Sequence, residues 1–277
     1  MKTLCIGRFQ VFTPDTLAVA GRTQSIYRTE VSTAPIRAGG AQRAWQERVS
    51  EIRAQDGNDP VRRTFDLAPG VPAVWYGINP RSPSAVVLEA VKPADDHWLK
   101  LVRRSEAGKE SMAEKLVRNI LASYVPHETR YGFCIGQGSL TIQPAERESV
   151  SLTLKHQTLG GIEFGIETAT VDRPDEEGSG LDEAQAFAKS TGARLTVLRD
   201  QKRNVAGLTG DELRISLAPP AEAEILRFHW HYPGTAGDPT RPKIDISGSS
   251  PPAERRELEH AWDSLLDSLR PVPLEKR

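Results

Sequence analysis

The chain has 277 residues, 38% hydrophobic and 26% charged, which is apolar material enough for two folded domains of about 100–170 residues each. Thirty-six basic against 37 acidic residues leave a net charge of −1, which argues against a nucleic-acid binder and its concentrated basic field. No run approaches the roughly 18–20 apolar residues of a membrane-spanning helix, and the opening Met1 to Arg8 lacks the long apolar region of a secretory signal.

Leu4, Ile6, Phe9 and Val11 make one short β-like run, punctuated by Pro14-Asp15. From Ser25 to Ser32, Tyr27, Thr29 and Val31 alternate with polar residues, the pattern of a half-buried strand. After Gly39-Gly40 the period changes. Trp45, Val49 and Ile52 recur at spacings of four and three, which predicts an amphipathic helix from about residue 41 to 55. Strand-like segments follow near 63–67, 72–78, 85–92 and 97–103. A second helix is expected over about 106–123, with Met112, Leu116, Ile120 and Tyr124 stepping by four until Pro126 ends it.

The order then recurs. Strands are expected at 132–142, 148–156 and 161–171, a loop at 173–180, and a helix at about 181–190. Further strands are read at 193–199, 209–217, 224–232 and 242–247. A closing helix follows Pro251-Pro252, with Leu258, Ala261, Trp262, Leu265 and Leu269 on one face. Each half reads as three strands, a helix, about four strands and a terminal helix, without residue-level repetition. The expected fold is α+β in two domains, residues 1–128 and 129–277, each a mostly antiparallel sheet packed against helices.

The candidate chemistry is sparse. His229 and His231 flank Trp230, and two imidazoles two apart on a strand share a face that can reach one metal ion. Exposed histidines opposite an apolar Phe228/Trp230/Tyr232 face explain the pattern more simply. Glu163 and Glu167 are carboxylates on one strand face, read as solvated rather than as an acid–base pair. Gly136-Gln137-Gly138-Ser139 lacks the Lys-Ser/Thr ending and the following helix of a phosphate loop, so a glycine-kinked strand is expected. No Gly-x-Ser-x-Gly elbow occurs. Between Asp172 and Glu183 six carboxylates face one arginine, a solvated loop or a recognition arm carrying Asp175, Glu176 and Glu177. The two cysteines, Cys5 and Cys134, each precede an isoleucine in a strand-like stretch. Two buried thiols satisfy that pattern, and so does one disulfide closing a very long loop.

Several motifs occur in a characteristic order: Cys5-Ile6-Gly7-Arg8-Phe9 before Pro14, Gly132-Phe133-Cys134-Ile135-Gly136, Ala206-Gly207-Leu208-Thr209-Gly210-Asp211-Glu212, Leu226-Arg227-Phe228-His229-Trp230, and His260 through Arg270. Together, over nearly the whole chain, they resemble the type VI secretion system immunity proteins that neutralise phospholipase effectors, the Tli family with its N- and C-terminal domains. Phe12-Thr13 departs from the more acidic approach to the proline expected there.

The resemblance implies an antitoxin, not an enzyme, whose partner is a cognate secreted phospholipase or lipase. Inhibition comes from blocking the substrate entrance or holding the lid. It implies no cofactor, no metal, no small-molecule substrate and no nucleic acid. It places the protein in the periplasm, with the cytoplasm as the alternative, and the oxidising setting favours a Cys5–Cys134 disulfide. Trp75, Tyr76, Trp98, His229 and Tyr232 are aromatic anchors or core residues on the sequence alone; Trp98, Tyr232 and the acidic trio are the expected partner contacts. The competing readings are a metal-dependent hydrolase using His229 and His231, and a cell-envelope binding scaffold.

Overall fold

A computed structural model describes residues 2–36, 40–55, 60–78, 82–127, 131–144, 147–173, 178 and 180–274. The first half runs β1 (Lys2–Ile6), β2 (Phe9–Thr13), β3 (Leu17–Ile26), β4 (Thr29–Pro35), α1 (Gly40–Arg53), β5 (Val61–Ala68), β6 (Val71–Gly77), β7 (Ala85–Pro93), β8 (His97–Glu106) and α2 (Glu110–Ala122). Next come β9 (Tyr124–Pro126), β10 (Phe133–Cys134), β11 (Gly138–Leu140), β12 (Glu148–His156), β13 (Glu163–Ala169) and α3 (Leu181–Thr191). The chain closes with β14 (Arg194–Val205), β15 (Leu208–Ala218), β16 (Ile225–Tyr232), β17 (Lys243–Ser250), α4 (Arg255–Ser268) and β18 (Arg270–Pro271). The fold is α+β, and all the described strand pairs are antiparallel.

Contacts divide the chain into two compact units, Met1–Thr23 with Pro144–Pro273, and Gln24–Gln143 with Leu274–Arg277. In the first unit the strand order is β14-β15-β16-β17-β13-β12, followed by the opening residues of β3. Register and alternation give this sheet two faces. Phe228, Trp230, Ile244 and Ile246 are buried on one. There α4 seats Leu258, Ala261, Trp262, Leu265 and Leu266, and the Trp262 ring meets Phe228 edge-on at 5.7 Å. The other face carries Leu213, Ile215, Leu217, Arg227 and His229, which together with α3 line a cavity of about 300 Å³. A small sheet, β1-β2-β18, packs beneath α4, where Ser268 Oγ accepts from the Phe12 amide at 2.8 Å.

The second unit has the order β4-β8-β7-β6-β5, with the last residues of β3 beside β4. Its sheet also has a helix on each face. Ile52 of α1 packs on Val74, Tyr76 and Val87. On the opposite face the Trp75 indole donates to Glu114 of α2 at 3.0 Å, and Lys92 Nζ donates to the Leu121 carbonyl at 2.9 Å.

Three local expectations change. The runs expected as single strands at 4–11 and 25–32 are hairpins. Gly7 at φ +58° turns the first, and Tyr27 and Arg28 at φ +50° and +61° form the two-residue turn of the second, a left-handed pair that matches strand twist. The expected strand over 132–142 is broken at Gly136, φ +88°, into β10 and β11. The buried stripe of α2 is Ala113, Val117, Ile120 and Leu121, leaving Met112 63% exposed. A strict step of four drifts around a 3.6-residue helix, so Met112 leaves the face that Ile120 occupies.

Candidate functional site

Side chains that combine charge and burial gather in three places. On the α4 face of the first unit, Glu212 is fully buried and accepts from Trp262 Nε1 at 2.9 Å, Arg214 Nη2 at 2.7 Å, Arg203 Nη1 at 3.1 Å and Gln201 Nε2 at 3.0 Å. The same arginines reach Asp263 at 2.8 and 2.7 Å, and Arg203 reaches Asp267 at 2.6 Å. Burial alone pushes the Glu212 carboxyl up, but the hydrogen bonds from Trp262 and Arg214 and the arginine charges hold it below the usual carboxylate range. In the same unit, Arg8 donates twice to Glu148, at 3.0 and 2.7 Å, with both side chains buried. Of these residues, Arg8, Glu212, Trp262, Asp263 and Asp267 fall within the motifs quoted from the sequence. Arg8, Glu212 and Trp262 are buried and hold the unit together, whereas the Asp263 and Asp267 side chains are 48% and 72% exposed and reach its surface.

The second place is the α1 side of the second unit. Arg48 grips Glu89 with two parallel bonds, 2.9 and 3.0 Å, while Lys100 Nζ lies 3.5 Å from the same carboxylate. Burial, then the Glu89 charge, push the Tyr76 hydroxyl up to about 12. Trp98 lines a cavity of about 260 Å³ here, with Ala34, Pro35, Arg48, Glu89 and Lys100. Its indole N–H is buried without a hydrogen-bond partner among the described residues. A larger groove of about 630 Å³ opens between α1 and β5–β6, walled by Trp45, Phe65, Pro72 and Val91.

The third is the α3 side of the first unit. Register sets His231 of β16 opposite Asp245 of β17, and His229 lies one pleat repeat away on the same face. His231 Nδ1 donates to Asp245 Oδ1 at 2.7 Å, His229 Nε2 lies 3.3 Å from the same oxygen, and Lys243 Nζ lies 3.2 Å from Oδ2. Burial pushes the Asp245 carboxyl up, but the two imidazole hydrogen bonds and the Lys243 charge hold it well below the usual range. Sequence reading paired the histidines and missed Asp245. The only signal for it was the polar alternation Lys243-Ile244-Asp245-Ile246. A second group with ligand chemistry, Asp96, His97 and His127, lies at the start of β8 in the other unit.

The remaining sequence candidates fall as follows. Trp75 and Tyr76 are buried core residues, whereas Trp98 and Tyr232 are half-buried, the latter with its hydroxyl 3.2 Å from Thr235 Oγ1. Asp175, Glu176 and Glu177 lie outside the described residues. Glu163 and Glu167 are exposed, facing Lys155 at 3.0 Å and Ser151 at 3.2 Å across the strand pair. Gly136 lies in the turn and Gly138 opens strand β11, so no helix follows. Cys5 and Cys134 are both buried, and both are disulfide-bonded.

Residues 125–273 match the family model described as the Tle cognate immunity protein 4 C-terminal domain. Among curated proteins no sequence matches. The fold is similar to the apo immunity protein TplEi of the type VI secretion system from Pseudomonas aeruginosa, with a TM-score of 0.78, 17% identity, and coverage of 98% of this chain and 97% of that one. It is similar to a chain of the Tle4–Tli4 complex, at TM-score 0.78 and 15% identity over 98% and 97% of the two chains. TplEi in complex with an "L" peptide matches at TM-score 0.75 and 16% identity, over 98% of each chain.

Proposed function

The chain belongs to the Tle cognate immunity protein 4 family, and on that footing we propose that it neutralises a type VI secreted phospholipase by covering its active-site entrance or lid, performing no chemistry itself. As an immunity protein of this family it binds a phospholipase effector. One observation carries the reading: the family model takes more than half of the chain, residues 125–273.

The physical character of the chain supports the proposal. Extended sheets braced by a helix on each face are ordered before binding, so little of the interaction energy is spent on ordering loops. A tight inhibitor buries about 1,600 Å² in total, centred on aromatic and arginine anchors. Half-buried Trp98 and Tyr232, with the acidic trio Asp175, Glu176 and Glu177, are the contacts this reading assigns. Residues 1–128 and 129–277 are its two functional halves. The periplasm is the proposed compartment, in keeping with cysteines that are disulfide-bonded, and Cys5 with Cys134 is the proposed pairing. No described helix is long and apolar enough to cross a membrane.

The test mixes the purified chain with its cognate phospholipase effector, sought first in the neighbouring gene. Hydrolysis should fall to zero at a ratio of about one to one, with a stable complex on gel filtration. Full activity at molar excess, with no complex, refutes the assignment.

A further inference from the structure

The imidazoles of His229 and His231 and the carboxylate of Asp245 offer three donor atoms that all lie within 4.8 Å of one another. They come from two directly paired strands inside a continuous ladder, so their backbone spacing is fixed. A tetrahedral zinc ion with bonds of about 2.0–2.1 Å places its ligand atoms about 3.3 Å apart. The His229 Nε2 to Asp245 Oδ1 separation is already 3.3 Å, and the His231 pair at 2.7 Å has only to open by about half an ångström.

The surroundings suit a cation. Lys243 engages Oδ2 of Asp245, which orients Oδ1 toward both rings in the manner of an outer-shell partner. A cavity of about 510 Å³ adjoins both histidines, and Asp182, Glu183 and Asp200 contribute to its lining. His231 is 1% exposed, so its ring is held in place by packing as well as by Asp245. The other histidine group is less suited. Both ring nitrogens of His97 are engaged, Nδ1 by Asp96 at 2.6 Å and Nε2 by the Tyr124 hydroxyl, and Asp96 is 67% exposed.

We propose that His229, His231 and Asp245 bind one divalent transition metal, zinc by donor chemistry, with its fourth position open to the adjoining cavity. The ion replaces the ring protons that bridge to Asp245 and ties β16 to β17 beside α3. The site is independent of effector inhibition.

The full chain, prepared without a histidine tag and stripped with a chelator, is titrated with zinc and separately with cobalt. One equivalent should bind, and cobalt should give the intense visible absorption of a tetrahedral site. His229→Ala and Asp245→Asn should each weaken zinc by at least about 100-fold, beyond the range usual for outer-shell partners. His127→Ala should leave it unchanged. His229 is half-exposed, so its variant reports even where Asp245→Asn fails to fold. No stoichiometric uptake, uptake that survives His229→Ala, or loss in His127→Ala overturns the proposal. Any of these results leaves effector inhibition standing.

Discussion

The indole N–H of Trp262 donates to Glu212 at 2.9 Å, joining α4 to β15 through a carboxylate that also receives Arg203 and Arg214. The pair sits in the apolar layer between helix and sheet, where an unpartnered polar group is costly. Glu212→Gln leaves the buried Arg214 and the half-buried Arg203 short of charge and should destabilise by about 3 kcal/mol. Trp262→Phe should cost about 2 kcal/mol. The double variant should cost less than the sum, because both changes remove one shared interaction. Urea unfolding of the four proteins measures this; strict additivity would mean that the two side chains act separately.

The same carboxylates set the acid limit. Glu212 and Asp245 are held below their ordinary values in the folded chain. A depressed folded pKa adds stability that is present above the unfolded value and is lost as pH falls through the folded one. Thermal stability should be flat from pH 7 to about 5 and fall steeply below about pH 4. Glu212→Gln should start lower and show a shallower acid slope. An unchanged slope in that variant would remove Glu212 from the account.

Gly210 allows β15 to pass beneath its neighbour. A Cβ there would collide with the His231 carbonyl and approach the Trp230 ring to 2.7 Å. The obstacles are backbone and a fully buried ring, which cannot swing aside. Gly210→Ala should destabilise by about 3 kcal/mol, whereas Gly207→Ala, at φ +81° with open space around it, should cost about 1 kcal/mol from backbone conformation alone. Melting curves of the two variants should show that order.

The proposed Cys5–Cys134 pairing closes a loop long enough to restrict the unfolded chain by about 4–5 kcal/mol. Cys5→Ser, Cys134→Ser and the double variant should lose about the same stability, because either substitution removes the whole bond. Peptide mapping without reduction should recover the two cysteines on one linked fragment. Separate effects that add, or a fragment linking either cysteine elsewhere, would reject the pairing.

Trp98 and Tyr232 are the aromatic contacts assigned to the effector. Each alanine variant should weaken the complex by about 10–100-fold while its melting temperature stays within a few degrees of the parent. Neutralising Asp175, Glu176 and Glu177 together should slow association most at low salt. Affinity that is unmoved by all of these changes places the interface elsewhere.

Much of the architecture was written in periodicity. The two-residue alternation along Phe228-His229-Trp230-His231-Tyr232 and the apolar stripe Leu258, Ala261, Trp262, Leu265 of α4 are local patterns, and each became the element its period demands. The four-strand run between α1 and α2, and its counterpart between α3 and α4, were legible for the same reason. The order of strands was not. Asp245 meets His231 because β17 pairs with β16, and Glu212 meets Trp262 because α4 returns across β15, contacts separated by 14 and 50 residues with no local trace. The hairpin at Tyr27-Arg28 was also hidden, since a positive φ at a non-glycine residue is imposed by the strands that flank it. Composition and period determine which residues leave water; only the assembled sheet, with its register, decides which charges they meet once there.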